Sequence, residues 1–318
     1  MAVFSVVKFN ELSADVRLDA EYYRPHFLAQ AAVVQRLPHK RIVDIGKVSD
    51  GNHLTIAEHF ADVGVRYLRG QDLSDFFISD ADPLYIPEEN YDALARSHMV
   101  PGDVLVSIVG TIGSVGLVTK RHGKLTGSCK LAIVRPNGLP SAYVAAYLAS
   151  PTGQNEIERR VRGAVQMGLI LPDLREIPIP TPSDGALKRI VECVDGAQRK
   201  REIAVRQYAE AEQLLSDALG LEDLDLFPKL AYTANLSSVL DAGRLDPQFF
   251  QPKFGTLLRK LESLKCPILG SLLTEPVSKG VTPDYADGGE VPLINSQHLA
   301  PLSQNLKEFG MFVRSVFQ

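Results

Sequence analysis

Two stretches of this 318-residue chain carry the residue types that chemistry requires. The first is Gly102-Asp103-Val104-Leu105-Val106-Ser107, continued by Gly110-Thr111-Ile112-Gly113-Ser114-Val115-Gly116. Its glycines could cradle a phosphate. The spacing, however, matches neither GxxxxGK[ST] nor GxGxxG, and no helix follows to offer its N-terminus. Thr119-Lys120-Arg121-His122-Gly123 follows instead, which suits a hairpin. Tight turns between strands account for the glycines, and the same turns let a backbone approach a sugar-phosphate closely. The second stretch is basic. Between Pro101 and Ile170 the cations are Lys120, Arg121, Lys124, Lys130, Arg135, Arg159, Arg160 and Arg162, against Asp103, Glu156 and Glu158, a local charge of +5 in a chain of net charge -4. Such a patch suits phosphate contact. Arg159, Arg160 and Arg162 also stand at the end of an expected helix, where cations complement its dipole. Polar side chains able to read base edges lie at Arg66, Arg69, Gln71, Asp72 and Gln166, because Arg pairs well with guanine and Gln with adenine. The candidate nucleic-acid contacts are therefore Arg66, Arg69, Gln71, Ser107, Thr111, Lys120, Arg121, Lys130, Arg159, Arg160, Arg162 and Gln166.

No catalytic constellation stands out. The seven histidines (His26, His39, His53, His59, His98, His122, His298) lack metal-ligand spacing such as HExxH, and no GxSxG elbow occurs. Cys129 lies beside Lys130, which could lower a thiol pKa, but no histidine partner is apparent, so it reads as structural. No cofactor or metal is expected. The three cysteines are odd in number and far apart, which argues for a reducing, cytoplasmic setting. No apolar run approaches ~20 residues, so no membrane span is expected. The overall negative charge leaves any polyanion site to a local patch.

The elements that must position these residues are organised around Pro182–Gly220, which reads as one helix of roughly 50 Å. Leu187, Ile190, Val194, Ala197, Arg201, Ala204, Tyr208, Ala211, Leu215 and Ala218 recur at alternating steps of three and four, the spacing of a coiled-coil seam. A thin apolar seam of that length needs a partner helix; a long helix lying on its own domain is the other reading. Ahead of it, helices are expected at Pro25–Leu37, Ser141–Ser150 and Gly153–Val161, with a short element from Leu171. Strands are expected at Val65–Leu68, Val104–Val109, Leu117–Thr119 and Leu131–Val134.

Flanking the helix is a duplication. Arg17-Leu18-Asp19-Ala20-Glu21-Tyr22-Tyr23-Arg24-Pro25-His26-Phe27 returns 227 residues later as Arg244-Leu245-Asp246-Pro247-Gln248-Phe249-Phe250-Gln251-Pro252-Lys253-Phe254. Val48–Gly51 returns as Val277–Gly280, and Val65–Leu73 as Val291–Leu299. Colinear matches at a nearly constant offset indicate two similar globular units. The second has no counterpart of Gly102–Gly116 and no second long helix, so the chain reads as a truncated form of something longer, with a tail that packs poorly or on a partner. Limited proteolysis is expected to trim it to the 220–240 region.

The sequence resembles the DNA specificity subunit of type I restriction-modification systems. The resemblance rests on Gly102–Ser107, Gly110–Gly113, Tyr143-Val144-Ala145-Ala146-Tyr147-Leu148, Ser150-Pro151-Thr152-Gly153-Gln154, Gly163-Ala164-Val165-Gln166 and Leu174-Arg175-Glu176-Ile177-Pro178-Ile179-Pro180-Thr181-Pro182. Ser183-Asp184-Gly185-Ala186 stands where the family usually shows Glu-Gln at the helix entry. The resemblance implies an α+β chain: a first target recognition domain over 1–181, a spacer helix over 182–220, a linker over 221–243 and an incomplete second domain over 244–318. It implies a non-catalytic subunit that reads half of a split double-stranded DNA site. Its partners would be methyltransferase subunits and a restriction subunit, met along the helix. As a complete chain it could pair two helices in a homodimer. The other class of reading is a coiled-coil adaptor that binds methyltransferase subunits without reading DNA.

Overall fold

The computed structural model describes residues 4–9, 12, 17–74 and 76–278, and the backbone of three short strands beyond them. The chain divides into two units, 1–198 and 199–318. The first is mixed α and β, as expected.

At its centre is an antiparallel sheet in the order Gly46–Asp50, Leu131–Pro136, Val104–Ser107, Val115–Leu117. Val104–Ser107 is buried at every position, and so are the first four residues of Leu131–Pro136. Their uninterrupted apolar runs follow from burial on both faces. Val104, Val106, Ala132 and Val134 join one core with the helix Ser141–Ala149, while Leu105, Leu131 and Ile133 join another with Leu68, Met99 and Leu125. A smaller sheet pairs Val65–Leu68 antiparallel with Leu84–Ile86 and parallel with Leu125–Gly127.

The strand at Val104 ends at Ser107, two residues before the apolar run does, because Ile108 and Val109 turn away to bond with Lys130, Leu169 and Gly168. The returning strand starts earlier than expected, at Val115. Helices occupy Pro25–Arg36, Ser141–Ala149, Pro151–Glu158 and Leu171–Arg175. Ser150 separates the middle two. Its hydroxyl accepts the Gly153 N–H at 3.2 Å, and Pro151 occupies the first turn, where its missing N–H costs nothing.

The long helix runs Asp184–Leu219, closed by Gly220 at φ +62°. Its seam has two fates. Leu187, Ile190 and Val194, with Val191, are partly buried against the core of the first unit. From Ala197 onward the seam is open: Ala197, Ala204, Ala211 and Leu215 are exposed and Tyr208 is half-buried. Arg201 is half-buried there too.

In the second unit Leu236–Ala242 is helical, inside the stretch expected to be a linker. Pro247–Phe250 forms a 3-10 turn and Pro252–Ser263 a helix. Phe312–Val313 pairs with both Tyr285–Ala286 and Val291–Pro292. The repeat of Val65–Leu73 and half of that of Val48–Gly51 otherwise lie outside the described residues.

Candidate nucleic-acid interface

The glycine stretch is a rigid turn. The Ser107 N–H donates to Ser114 O at 2.8 Å and the Gly113 N–H to Ser107 O at 2.9 Å. The Thr111 hydroxyl donates to Ser107 Oγ at 3.1 Å. Gly110 and Gly113 adopt φ +80° and +89°, in the region that side chains disfavour. From a helix forty residues on, Gln154 Nε2 donates to Gly113 O at 2.8 Å and to Leu148 O at 2.7 Å. A Cβ on Gly113 would stand 2.6 Å from Gln154 Oε1.

Two other segments meet this turn. Gly70 lies against it so closely that a Cβ there would be 2.6 Å from Ser107 Oγ and 3.1 Å from Thr111 Oγ1, which brings exposed Gln71 alongside. Ile108 takes Lys130 O as the acceptor for its N–H at 2.9 Å, and its own carbonyl accepts from Leu169 N at 2.9 Å. Arg162 and Gly168 exchange two backbone hydrogen bonds of 2.8 Å, closing a hairpin beside Val109 whose tip, Gly163–Met167, is exposed. Ser107, Thr111, Gln71, Lys130 and Gln166 are thus gathered around one turn. Ser107 itself is buried and shapes the turn; the other four side chains are open.

Lys120 and Arg121 sit elsewhere, on the turn that follows Val115–Leu117. Lys120 is exposed; Arg121 pairs with Asp80 at 3.1 Å. Arg69 is committed to Asp72 (Nη2–Oδ1 2.9 Å) and to Asp82, and Arg66 donates to Ser79 O at 3.0 Å. Asp72 is buried beneath both. These two arginines brace the loop that carries Gln71.

The arginine cluster differs from expectation. Arg159 and Arg160 are 7% and 8% exposed and lie against Glu156, itself 1% exposed. Arg160 Nη1 reaches Glu156 Oε2, and Arg159 Nη1 lies 3.5 Å from Oε1. Spacings of three and four residues put both on the carboxylate's face of one helix. They are not open to phosphate, and the earlier assignment is corrected on that ground. Arg162 binds Asp173 through Nε and through Nη2 at 2.7 Å. The fourth member was not expected: Arg17 donates to Arg160 O at 3.2 Å and lies 3.5 Å from Asp173, while Arg17 and Arg159 both stack on Tyr22 at 4.4 and 4.2 Å. Arg17-Leu18-Asp19 was legible as a repeat, Gln154 as part of a motif; neither stretch discloses what it touches.

His122 supplies a pH prediction. Its Nδ1 accepts the Thr119 N–H at 2.9 Å, so the proton sits on Nε2, which is buried without a partner among the described residues. Burial, aided by Arg121, pushes its pKa down to about 4. The unfolded ring titrates near 6.5, so between those values the unfolded chain holds more protons, and stability is full above 6.5 and lost as pH falls through 4. The expected contribution is about 1–2 kcal/mol after discounting for solvent. His122→Asn should flatten the urea midpoint between pH 4 and 7; an unchanged slope would contradict the assignment.

Among the described residues no group of His, Cys, Asp and Glu could hold a metal, and no helix is long and apolar enough to cross a membrane. No protein-family model and no curated protein matches the chain. Solved structures do. A type I restriction-modification S subunit from M. genitalium aligns with 88% of this chain and 63% of its own length, at 15% identity and TM-score 0.43. The HsdS subunit of Thermoanaerobacter tengcongensis aligns with 60% of this chain and 47% of its own, at 20% identity and TM-score 0.38. A chain from a structure of type I R-M complex assembly and conformational transition aligns over 61% and 49%, at 20% identity and TM-score 0.39. The first and third of these belong to type I restriction-modification systems. This chain spans from about half to under two thirds of their lengths.

Proposed function

We propose that this chain is a sequence-specific DNA-binding specificity subunit of a type I restriction-modification complex. Residues 1–181 would form the target recognition domain, 182–220 the spacer helix, 221–243 the linker and 244–318 the start of a second recognition domain. Chemistry would belong to methyltransferase and restriction subunits, with this chain directing them to a bipartite site.

One observation carries the reading. Sequence fragments that individually mean little fold onto one another: Gln154 clamps Gly113, and the Gly163–Met167 hairpin stands beside Val109. The result is a turn that carries exposed Thr111, bordered by segments that carry exposed Gln71, Lys130 and Gln166. Backbone at Gly110, which has no atom within 4 Å of a built Cβ, can approach a sugar-phosphate closely. Gln71 and Gln166 have the amide geometry for adenine edges. Lys120 and Lys130, exposed and without an ion pair among the described residues, suit phosphate.

The two classes of contact respond differently. A Lys120→Ala/Lys130→Ala double substitution should weaken all duplexes alike and reduce the slope of log K against log salt by about 2. Gln71→Ala or Gln166→Ala should relax preference by about 1–3 kcal/mol at the base it reads, leaving the slope unchanged. Fluorescence anisotropy against a duplex panel across salt concentrations measures both. Equal slopes for the lysine variant and the parent chain would remove those contacts.

The adaptor reading has one observation in its favour. Ile203, Val205, Leu214 and Leu215 are exposed on the long helix beyond the portion that packs on the first unit. That open stretch suits helix pairing, including a homodimer. Retention of a methyltransferase subunit by the chain, with no retention of duplex DNA, would favour the adaptor.

A further inference from the structure

The Gly163–Met167 hairpin has a fixed stem and an apolar tip. Arg162 and Gly168 exchange backbone hydrogen bonds of 2.8 Å, and Asp173 holds the Arg162 guanidinium through Nη2 at 2.7 Å. On the returning leg Leu169 is 2% exposed and donates its N–H to Ile108 O at 2.9 Å. Gly163 adopts φ +114° and lies so close to the tip that a Cβ there would stand 2.2 Å from Gln166 O. The loop is therefore folded tightly on a stem that cannot shift far. Val165 at its tip is nonetheless 101% exposed, and Met167 is 47% exposed.

A single exposed apolar side chain is ordinary on a protein surface. This one is singled out by its place. The stem bonds to Ile108 and Val109, directly ahead of the Gly110–Gly113 turn. Lys130, whose carbonyl accepts the Ile108 N–H at 2.9 Å, is exposed and has no ion pair among the described residues. Residues 163–170 hold no carboxylate, and the next one along the chain, Asp173, is taken by Arg162. Nothing on the loop itself repels a polyanion, and a convex tip suits a concave groove. The major groove of duplex DNA admits a two-stranded ribbon, and the apolar mark it carries is the 5-methyl group of thymine. Consecutive Cα atoms lie about 3.8 Å apart and stacked bases about 3.4 Å, so Val165 and Gln166 match neighbouring base pairs.

We propose that Val165 determines specificity by packing on the 5-methyl of a thymine, in the base pair next to the adenine that Gln166 reads, with the hairpin lying in the major groove. The inference rests on the DNA-reading function proposed above and names a base feature within it. Valine suits the task because its branched side chain is stiff, so little rotamer freedom is lost on contact. Cytosine presents an amino donor at the corresponding position, and Val165 has no acceptor to offer it. The tip therefore distinguishes the two pyrimidines without a hydrogen bond of its own.

The test uses the full chain and the duplex it selects from a random library. Each thymine of that duplex is replaced in turn by deoxyuridine, which lacks only the 5-methyl. At one thymine, beside the base pair whose preference Gln166→Ala relaxes, the replacement should weaken binding about fourfold, the worth of burying one methyl group. Val165→Ser should bind the unmodified duplex more weakly by a similar factor and respond no further to deoxyuridine. Its salt slope should match the parent chain, because no charge changes. The deoxyuridine measurement on the parent chain needs no variant, so it stands even if Val165→Ser folds poorly. A selected sequence without thymine, no thymine whose methyl matters, or an equal methyl effect in Val165→Ser overturns the proposal, while altered preference in Gln71→Ala or Gln166→Ala leaves DNA reading in place. Absence of any duplex binding removes both. Unchanged preference in Val165→Ser, with loss of a methyltransferase subunit, would make the tip a protein contact and overturns the proposal as well.

Discussion

Glu156→Gln should destabilise the first unit by about 3–5 kcal/mol, the cost of leaving buried charges without their counter-ion. The carboxylate is 1% exposed and meets both Arg159 and Arg160. An amide would still accept one hydrogen bond but would compensate neither charge. Arg160 would retain only carbonyl acceptors, Glu156 O at 2.9 Å and Glu176 O at 3.4 Å. Urea unfolding followed by circular dichroism measures the loss. A Glu156→Gln/Arg160→Met double variant should recover part of it, because an apolar side chain needs no counter-ion. The same variant separates two roles for the arginines. As buried structural groups they leave DNA preference and salt slope unchanged in whatever protein remains folded. Were they phosphate contacts, removing the neighbouring carboxylate would raise affinity instead.

Gly113→Ala should cost about 2–4 kcal/mol and blunt duplex binding. The residue sits at φ +89°, where a non-glycine residue is strained by about 1–3 kcal/mol, and its Cβ would stand 2.6 Å from Gln154 Oε1. The two penalties can be separated. Gln154→Ala alone frees Gly113 O and Leu148 O from their shared donor, at about 1–2 kcal/mol. Combined with Gly113→Ala it removes the colliding atom, so the double variant should be less destabilised than the sum of the singles. Both singles loosen the turn that carries Thr111, so both should lower duplex affinity more than they lower the salt slope. Additive stability losses with unchanged binding would mean that the turn serves the fold alone.

These residues show what a sequence discloses. The helix over Asp184–Leu219 was legible because ten seam positions keep one period. The strands at Val65 and Leu131 were legible because short, largely apolar runs stop at turn residues. The fate of Arg159 and Arg160 was not. Their spacing from Glu156 is visible, but an exposed pair and a buried one look alike in sequence. What buries this one is Arg17 and Tyr22, more than 130 residues away along the chain. Gln154 and Gly113 were both seen, yet their contact exists only after a helix packs beside a turn. The seam, too, reads as uniform, although Leu187, Ile190 and Val194 pack on the domain before it and Leu215 stays open. Periodicity gives the face of a helix and leaves unspecified what covers it.

In the proposed function, the turn around Gly110–Gly113 reads duplex DNA. The most direct test is selection from a random-sequence duplex library by the full chain, alone and with the methyltransferase subunit we propose as its partner, followed by affinity across salt concentrations. The expected result is enrichment of a defined sequence, affinity that falls steeply with salt, and a changed preference for Gln71→Ala or Gln166→Ala. No enriched sequence and no duplex retention at low salt would contradict it.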